Sequence, residues 1–138
     1  MLDPADPRHA RALRRLAAEP VIWLTTVRPN GQAQTSPVWY LFEDGGFLVY
    51  SKEGTARTTN LDANPRVALN LDGDHFGGEV VTIEGRATVD AGAPPASEHD
   101  AYVEKYRLLM RRNGWTPEDF AAGYPVAIRI TPTRARAW

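Results

Sequence analysis

The fold prediction starts from residues 46–66, GFLVYSKEGTARTTNLDANPR. Side chains over residues 47–52 alternate between two faces, a period of two that is typical of a β-strand. Gly54 and Thr55 then provide a flexible joint and a hydroxyl N-cap, so we expect a short helix to begin there. The next strand opens after Asn64 and Pro65. This segment therefore predicts a strand, a short helix and a second strand in succession.

The beginning of this predicted helix is suited to binding an anion. The first amides of a helix have no partner within it and carry the positive end of its dipole. Hydroxyl and cationic side chains of the kind that bind phosphate are concentrated around the same point: Ser51, Lys52, Thr55, Arg57 and Thr58. We interpret this corner as a phosphate site. A capped surface helix with solvated charges explains the same residues equally well.

Composition limits the fold and the function. The 138 residues are 43% hydrophobic and 24% charged, which predicts one globular domain spanning residues 1–138. The net charge of −1 argues against broad nucleic-acid binding. The absence of cysteine excludes disulfides, thiolate metal sites and thiol catalysis. No apolar run is long enough for a membrane span and the N-terminus lacks a signal-peptide pattern, so we expect a cytoplasmic protein with no membrane partner.

The whole chain reads as short strands joined by turns, with helices around them. Strands are expected over residues 21–27, 32–42, 47–51, 66–71, 79–89 and 124–130. Helices are expected over residues 7–18, from Thr55 onward, over 97–112 with Ser97 and Asp100 as a capping box, and over 116–123, followed by a tail at 131–138. Pro37 cannot donate to a ladder, so its strand lies at an edge or carries a bulge. The pattern predicts a mainly β fold of the α+β type, a six-stranded antiparallel barrel with peripheral helices.

The sequence contains no motif for metal binding or for side-chain nucleophilic catalysis. Its three histidines, His9, His75 and His99, are scattered and none lies at metal-ligand spacing from another. A nucleophile elbow, a P-loop and a dinucleotide fingerprint are all absent. We therefore expect no metal site, and in an enzyme a bound cofactor would supply the reactivity.

The second predicted strand, residues 35–40, carries a different set of groups. Hydroxyls at Thr35 and Ser36 and a bent backbone at Pro37 can meet the polar edge of a planar heterocycle. Trp39 and Tyr40 provide flat apolar surface. Aromatic core residues in a packed barrel strand are the alternative explanation.

These segments belong to a longer run that resembles the pyridoxamine 5′-phosphate oxidase-like superfamily. The matching residues are Trp23–Arg28, Asn30, Gly31, Ser36, Val38 and Tyr40, then Phe47–Ser51 and Thr55–Leu69. The resemblance covers residues 13–89 best, and Ile130–Pro132 with Trp138 more loosely. It is closest to the split β-barrel branch that binds the deazaflavin coenzyme F420. It implies an FMN-binding type of split barrel and a homodimer with two cofactor sites at its interface.

The resemblance also implies which residues bind the cofactor. The cofactor phosphate would lie in the corner after the third predicted strand, lined by Ser51, Lys52, Arg57, Thr58 and Asn60. The ring would lie along Ser36, Pro37, Val38 and Trp39, with Trp138 as a further wall.

Members of this branch transfer a hydride from the reduced deazaflavin to electron-poor organic substrates, so we expect an F420-dependent oxidoreductase acting on a small molecule. Oxidation of pyridoxamine phosphate is not implied, because the basic residues that bind that substrate's phosphate have no counterpart here. Three alternatives remain: an FMN-dependent flavin reductase or oxidase, a non-catalytic flavin carrier, and an oligonucleotide-binding barrel that the net charge disfavours. No catalytic residue is assigned; Tyr40 and a bound water are the candidate proton donors.

Overall fold

The computed structural model describes all 138 residues. Its strands are β1 (Ile22–Val27), β2 (Ala33–Val38), β3 (Leu41–Glu43), β4 (Gly46–Ser51), β5 (Arg66–Asn70), β6 (Val81–Val89) and β7 (Val126–Ala137). Its helices are α1 (Pro7–Ala18), α2 (Ala56–Ala63), α3 (Asp100–Arg112) and α4 (Pro117–Gly123), with one 3₁₀ turn at Ala96–Glu98. None of these helices is long and apolar enough to cross a membrane.

The strands form one antiparallel sheet in the order β2-β1-β5-β6-β7-β4-β3. The two edge strands, β2 and β3, are consecutive in the chain and are separated only by Trp39 and Tyr40. This connection brings the two edges of the sheet together and leaves the barrel split between them. The predicted mainly β split barrel with peripheral helices is confirmed, with seven strands in place of six.

The additional strand arises because the predicted strand over residues 32–42 is interrupted. Pro37 lies opposite Trp23 of β1, on the edge strand β2. No strand pairs with the outer side of β2, so the missing N–H of Pro37 loses no hydrogen bond on that side. After Val38 the chain leaves this pairing, and Leu41 pairs with Leu48 of β4 at the other edge of the sheet. Pro37 therefore lies on an edge strand, as the sequence predicts.

The C-terminal segment is a strand and not the predicted tail. The pairing of β6 with β7 shifts register between Glu84 and Gly85, which leaves Thr133 as an extra residue of β7. Pro132 sits at this bulge, where a residue without an N–H is tolerated. A Cβ at Gly85 would lie 2.8 Å from the Thr131 carbonyl oxygen, so the close approach of the strands requires glycine there. The sequence pattern missed the strand because Thr131-Pro132 resembles a strand end.

Two apolar clusters stabilise the fold. Seventeen buried residues fill the barrel, and α1 closes one end by inserting Ala12 and Leu16. Outside the barrel, a second cluster of nine buried residues joins α3 and α4 to the strands β3, β4 and β7. This second cluster is rich in aromatic side chains, and it lies beside the break between β2 and β3.

Helix α3 begins differently from the prediction. Ser97 lies in the 3₁₀ turn, and the N-cap is His99, whose Nδ1 accepts a 3.4 Å hydrogen bond from the Tyr102 N–H. The other ring nitrogen of His99 lies 3.1 Å from a carboxylate oxygen of Glu43. His99 therefore ties α3 to β3.

The hydroxyl of Tyr106 satisfies the backbone at the break in the barrel. Its oxygen accepts a 2.7 Å hydrogen bond from the Tyr40 N–H. Its proton lies within reach of two carbonyl oxygens, that of Pro20 at 2.7 Å and that of Tyr40 at 2.8 Å. Lys105 Nζ also donates to the Tyr40 carbonyl at 2.8 Å, and burial lowers the pKa of Lys105 to about 8. Backbone groups that the ladder leaves unpaired are thus bonded by α3.

Tyr106→Phe should destabilise the protein by about 1–3 kcal/mol, since it leaves the buried Tyr40 N–H without a partner. Tyr102→Phe is the matched control: Tyr102 is on the same helix and fully buried, but its hydroxyl has no hydrogen-bond partner. We expect this control to leave the free energy of unfolding unchanged or higher. Urea denaturation of both variants makes the comparison, and equal losses would contradict the role assigned to the Tyr106 hydroxyl.

Candidate functional site

A cleft of about 450 Å³ opens where the β2–β3 break, the start of α2 and the α3–α4 region meet. This volume is within the usual range of small-molecule sites, about 300–1,000 Å³. Its lining residues are Pro37, Val38, Trp39, Tyr50, Lys52, Thr55, Arg57, Asn113, Trp115, Phe120 and Tyr124. The cations and Thr55 come from the β4–α2 corner, whereas three of the five aromatic rings come from residues 115–124, in α4 and at its two ends. The cleft therefore combines an electropositive part with a flat apolar part.

Arg57 is the central group of the electropositive part. It lies in the first turn of α2, which Thr55 caps by accepting a hydrogen bond from the Thr58 N–H. Its guanidinium donates from Nη1 to Ser51 Oγ at 2.8 Å and from Nη2 to Ser36 Oγ at 2.7 Å. The structure thus brings three predicted residues together from β2, β4 and α2.

The charge of Arg57 is not neutralised within the chain. Every ion pair of the protein involves other residues. Its Nε is buried and has no hydrogen-bond partner, and burial lowers the pKa of the guanidinium. A half-buried cation without a carboxylate is unfavourable unless an anion completes its surroundings. The charge and burial of this corner are therefore suited to an anionic group.

Two serine hydroxyls accompany Arg57 behind the cleft lining, and that of Ser51 is buried. Each serine oxygen accepts from Arg57, so the proton of each hydroxyl is free to donate elsewhere. The Ser51 hydroxyl has one weak alternative, the Lys52 carbonyl at 3.4 Å. A phosphate beside Arg57 would thus find hydroxyl donors as well as a positive charge.

Lys52 provides a second cation of a different kind. Its side chain is exposed, forms no ion pair, and places Nζ 5.4 Å from the centre of the Tyr124 ring. An exposed ammonium on a flexible stem acts as a movable point charge, whereas the guanidinium of Arg57 is held in place.

Five residues of the predicted set lie outside the cleft lining. Two of them, Ser36 and Ser51, contact the lining through their hydrogen bonds to Arg57. Thr58 bonds to Thr55 within the first turn of α2. Asn60 is buried and donates to Thr26 at 3.0 Å and to Gln34 at 2.9 Å, so it joins α2 to the β1–β2 hairpin. Trp138 is 57% exposed and lines a separate cavity beside α1. A role for Trp138 at the cleft would require a second subunit, and it stays a prediction.

Tyr40 is not in a position to donate a proton in the cleft. Its side chain is fully buried in the barrel interior, and its hydroxyl has no hydrogen-bond partner. Burial raises the pKa of this hydroxyl, which makes it a weaker acid than an ordinary tyrosine. This geometry excludes Tyr40 as the proton donor, so a bound water is the remaining candidate.

Sequence reasoning missed the aromatic wall. The lining residues outside the predicted set are Tyr50, Asn113, Trp115, Phe120 and Tyr124. The available signal was the concentration of three aromatic residues within positions 115–124, between Gly114 and Pro125. Position in the chain does not reveal that this segment packs against the β2–β3 break, because that contact is tertiary.

The backbone of Trp115 is held between two capping motifs. Helix α3 ends with Gly114 at φ +76°, and the Trp115 N–H donates back to the Met110 carbonyl at 2.8 Å, a Schellman motif. The next residue, Thr116, begins α4 with a capping box: its hydroxyl accepts from the Asp119 N–H, and its own N–H donates to the Asp119 carboxylate. The tryptophan is therefore placed by local backbone geometry.

The fold and the cleft define a split-barrel protein whose cleft combines an electropositive corner with aromatic rings. The family described as pyridoxamine 5′-phosphate oxidase matches residues 8–138, so the chain belongs to this family. A curated pyridoxine/pyridoxamine 5′-phosphate oxidase from Rubrobacter xylanophilus is 34% identical over 113 residues, covering 72% of this chain. The chain spans about half, 48%, of that relative's length.

Solved structures share the fold over nearly the whole chain. A conserved hypothetical protein from Mycobacterium tuberculosis superposes with a TM-score of 0.73 and 25% identity, covering 94% of this chain and 82% of that one. An F420 reductase superposes with a TM-score of 0.65 and 21% identity, covering 89% of this chain and 94% of that one. A FAD-binding protein from Mesorhizobium loti superposes with a TM-score of 0.65 and 20% identity, covering 91% of this chain and 88% of that one. The last two identities establish similarity of fold only.

Gly114→Ala should destabilise the protein by about 1–2 kcal/mol, because alanine is strained at this positive φ. Gly123→Ala is the control, since Gly123 ends α4 without a positive φ and has no atom near an added Cβ. Thermal unfolding of the two variants checks the difference. If Gly114→Ala were as stable as the control, the Schellman motif would not be what holds Trp115.

Proposed function

We propose that this protein is an oxidoreductase that binds a phosphate-bearing flavin or deazaflavin, with coenzyme F420 as the first candidate. The observation that carries the proposal is the uncompensated charge of Arg57, which the two serine hydroxyls accompany and which opens onto an aromatic cleft. Membership of the family and similarity of fold to an F420 reductase and a FAD-binding protein support it.

The residues present fit the two chemically different parts of such a cofactor. Arg57 would clamp the phosphate, with Ser36 and Ser51 as hydroxyl donors and Lys52 as the flexible cation. The ring would lie along Pro37–Trp39, the strand end that lines the same cleft. Contact with this edge strand lets a heterocycle bond to backbone groups that no neighbouring strand uses.

The chemistry requires little from acidic or nucleophilic side chains. When bound, the reduced ring supplies a hydride, one proton with two electrons, to an electron-poor acceptor and is left oxidised, while water delivers the acceptor's second proton. The chain's part is to hold the reactants in contact and to limit access of water. The apolar lining of Val38, Trp39, Trp115 and Phe120 serves the second purpose.

Two alternatives keep the same site. The FAD-binding protein of similar fold favours an isoalloxazine cofactor such as FMN, which would make the protein a flavin reductase or oxidase. A non-catalytic carrier would bind the cofactor equally well and show no turnover with any acceptor.

Titration of the purified protein with F420 and with FMN, followed by cofactor fluorescence, tests the proposal. We expect saturable binding with F420 preferred. Arg57→Ala should weaken binding by ~1.5–3 kcal/mol, an increase in Kd of about 10- to 150-fold. Arg107→Ala removes an exposed arginine of α3 that forms no ion pair, and it should leave Kd unchanged.

The outcomes of this titration separate the alternatives. Preference for FMN would keep the site and change the cofactor. Tight binding without oxidation of the reduced cofactor by any acceptor would favour the carrier. Equal affinities for the two arginine variants would place the phosphate elsewhere, and binding of neither flavin would remove the oxidoreductase proposal.

We also propose that two copies of the chain form a homodimer that completes the cofactor site. Strand β2 has an unpaired edge, Pro37 is exposed beside the cleft, and Trp138 exposes a large ring away from it. Light scattering after gel filtration should give the mass of two 15.3 kDa chains. A monomer that binds cofactor at full affinity would show that one chain suffices.

A further inference from the structure

Trp115 is the one half-buried ring of the cleft that has no stacked partner. Tyr50, the other unstacked ring, is buried and meets Tyr102 edge-on. Trp39 stacks on Tyr106 with ring centres 4.6 Å apart and planes 5° apart. Phe120 and Tyr124 stack on each other at 4.6 Å and 13°. Trp115 meets its three aromatic neighbours only at 40–59°, with centres 6.1 Å away in each case. Its indole is half-buried and lines the cleft without a parallel ring on either face.

The fixed backbone of Trp115 prepares it to bind a flat molecule. The Schellman motif on one side and the capping box on the other leave its main chain little freedom to lose. A ligand that stacks on a ring already held in place pays less conformational entropy than one that must order it. The indole is also electron-rich, which favours an electron-poor ring over a saturated one.

Polar groups near this ring can bind the edge of such a molecule. Asn113 precedes the Schellman glycine, is exposed, and lines the cleft with an amide that forms no side-chain hydrogen bond. Lys52 lies beside Tyr124 on the same cleft. Both groups donate hydrogen bonds, so they suit carbonyl oxygens at the periphery of the ligand.

The position of Trp115 also suits a second molecule beside the cofactor. Its ring centre is 6.1 Å from that of Trp39, the last residue of the segment along which the cofactor ring is proposed to lie. The electropositive corner is supplied by other elements, β2, β4 and the start of α2. A planar molecule on Trp115 would therefore be next to the ring and would not need the phosphate site.

We propose that Trp115 is the stacking platform for a planar, conjugated carbonyl compound of the quinone type, and that it determines specificity for this class. The assignment of this compound as the hydride acceptor rests on the proposed function. The stacking itself does not depend on it.

Calorimetric titration with 1,4-naphthoquinone and with its fully saturated decalin dione tests the platform directly. Both probes are measured with and without a saturating amount of whichever flavin binds. We expect the flat probe to bind and the saturated one to bind at least tenfold more weakly. Trp115→Ala should weaken the flat probe about tenfold, and Trp115→Phe should retain part of the affinity.

Trp23→Phe serves as the control, because Trp23 is bonded to Asp72 and does not line the cleft. Far-ultraviolet circular dichroism checks that each variant is folded, and Trp115→Phe keeps the test valid if the alanine variant is not. An unchanged affinity in both Trp115 variants, or equal binding of the two probes, would overturn the proposal.

The same experiment distinguishes failure of this inference from failure of the proposed function. If the bound flavin excluded the flat probe, Trp115 would belong to the cofactor's own site and the proposal would be wrong. If neither flavin bound but the flat probe still depended on Trp115, the platform would stand and the hydride-transfer function would fall.

Discussion

The hydroxyl of Tyr106 solves the main structural problem of a split barrel. A sheet whose edge strands are consecutive in the chain must leave backbone groups unpaired between them, and buried unpaired groups are costly. Here the Tyr40 N–H and carbonyl find their partners on α3, through Tyr106 and Lys105. The hydrogen bonds that satisfy the Tyr40 backbone also hold α3 against the barrel and place Trp39 at the cleft. The scaffold and the site therefore depend on the same contact.

The cleft owes its chemistry to two elements that approach it from different parts of the chain. The β4–α2 corner supplies a half-buried cation whose charge no carboxylate of the chain neutralises. The α3–α4 connection supplies flat apolar surface, fixed by capping motifs rather than by the barrel. The proposed ligand, with a phosphate and a planar ring, would complement both, since the phosphate would neutralise Arg57 and the ring would cover the aromatic wall.

Much of this arrangement could be predicted from local pattern. Alternation located the barrel strands, and Thr55 marked the start of α2. The family resemblance, and not local pattern, implied that the Ser36–Trp39 and Ser51–Arg57 segments lie against one cofactor. The limits of prediction were at positions where non-local contacts override local signals. Thr131-Pro132 resembles a strand end, yet a bulge against Gly85 carries β7 through it. Ser97 and Asp100 resemble a capping box, yet His99 caps α3 because its ring also reaches Glu43.

By itself, the sequence determined the properties that arise within a few residues: strand period, helix caps, the edge position of Pro37 and the cation-and-hydroxyl corner at Ser51–Thr58. Each of these depends on backbone geometry that neighbouring residues impose. Only the tertiary structure decided that Arg57 has no carboxylate partner, that Tyr40 faces the barrel interior, and that Trp115 joins the cleft. Burial, charge pairing and ring stacking depend on residues far apart in the chain, so the local sequence pattern does not predict them.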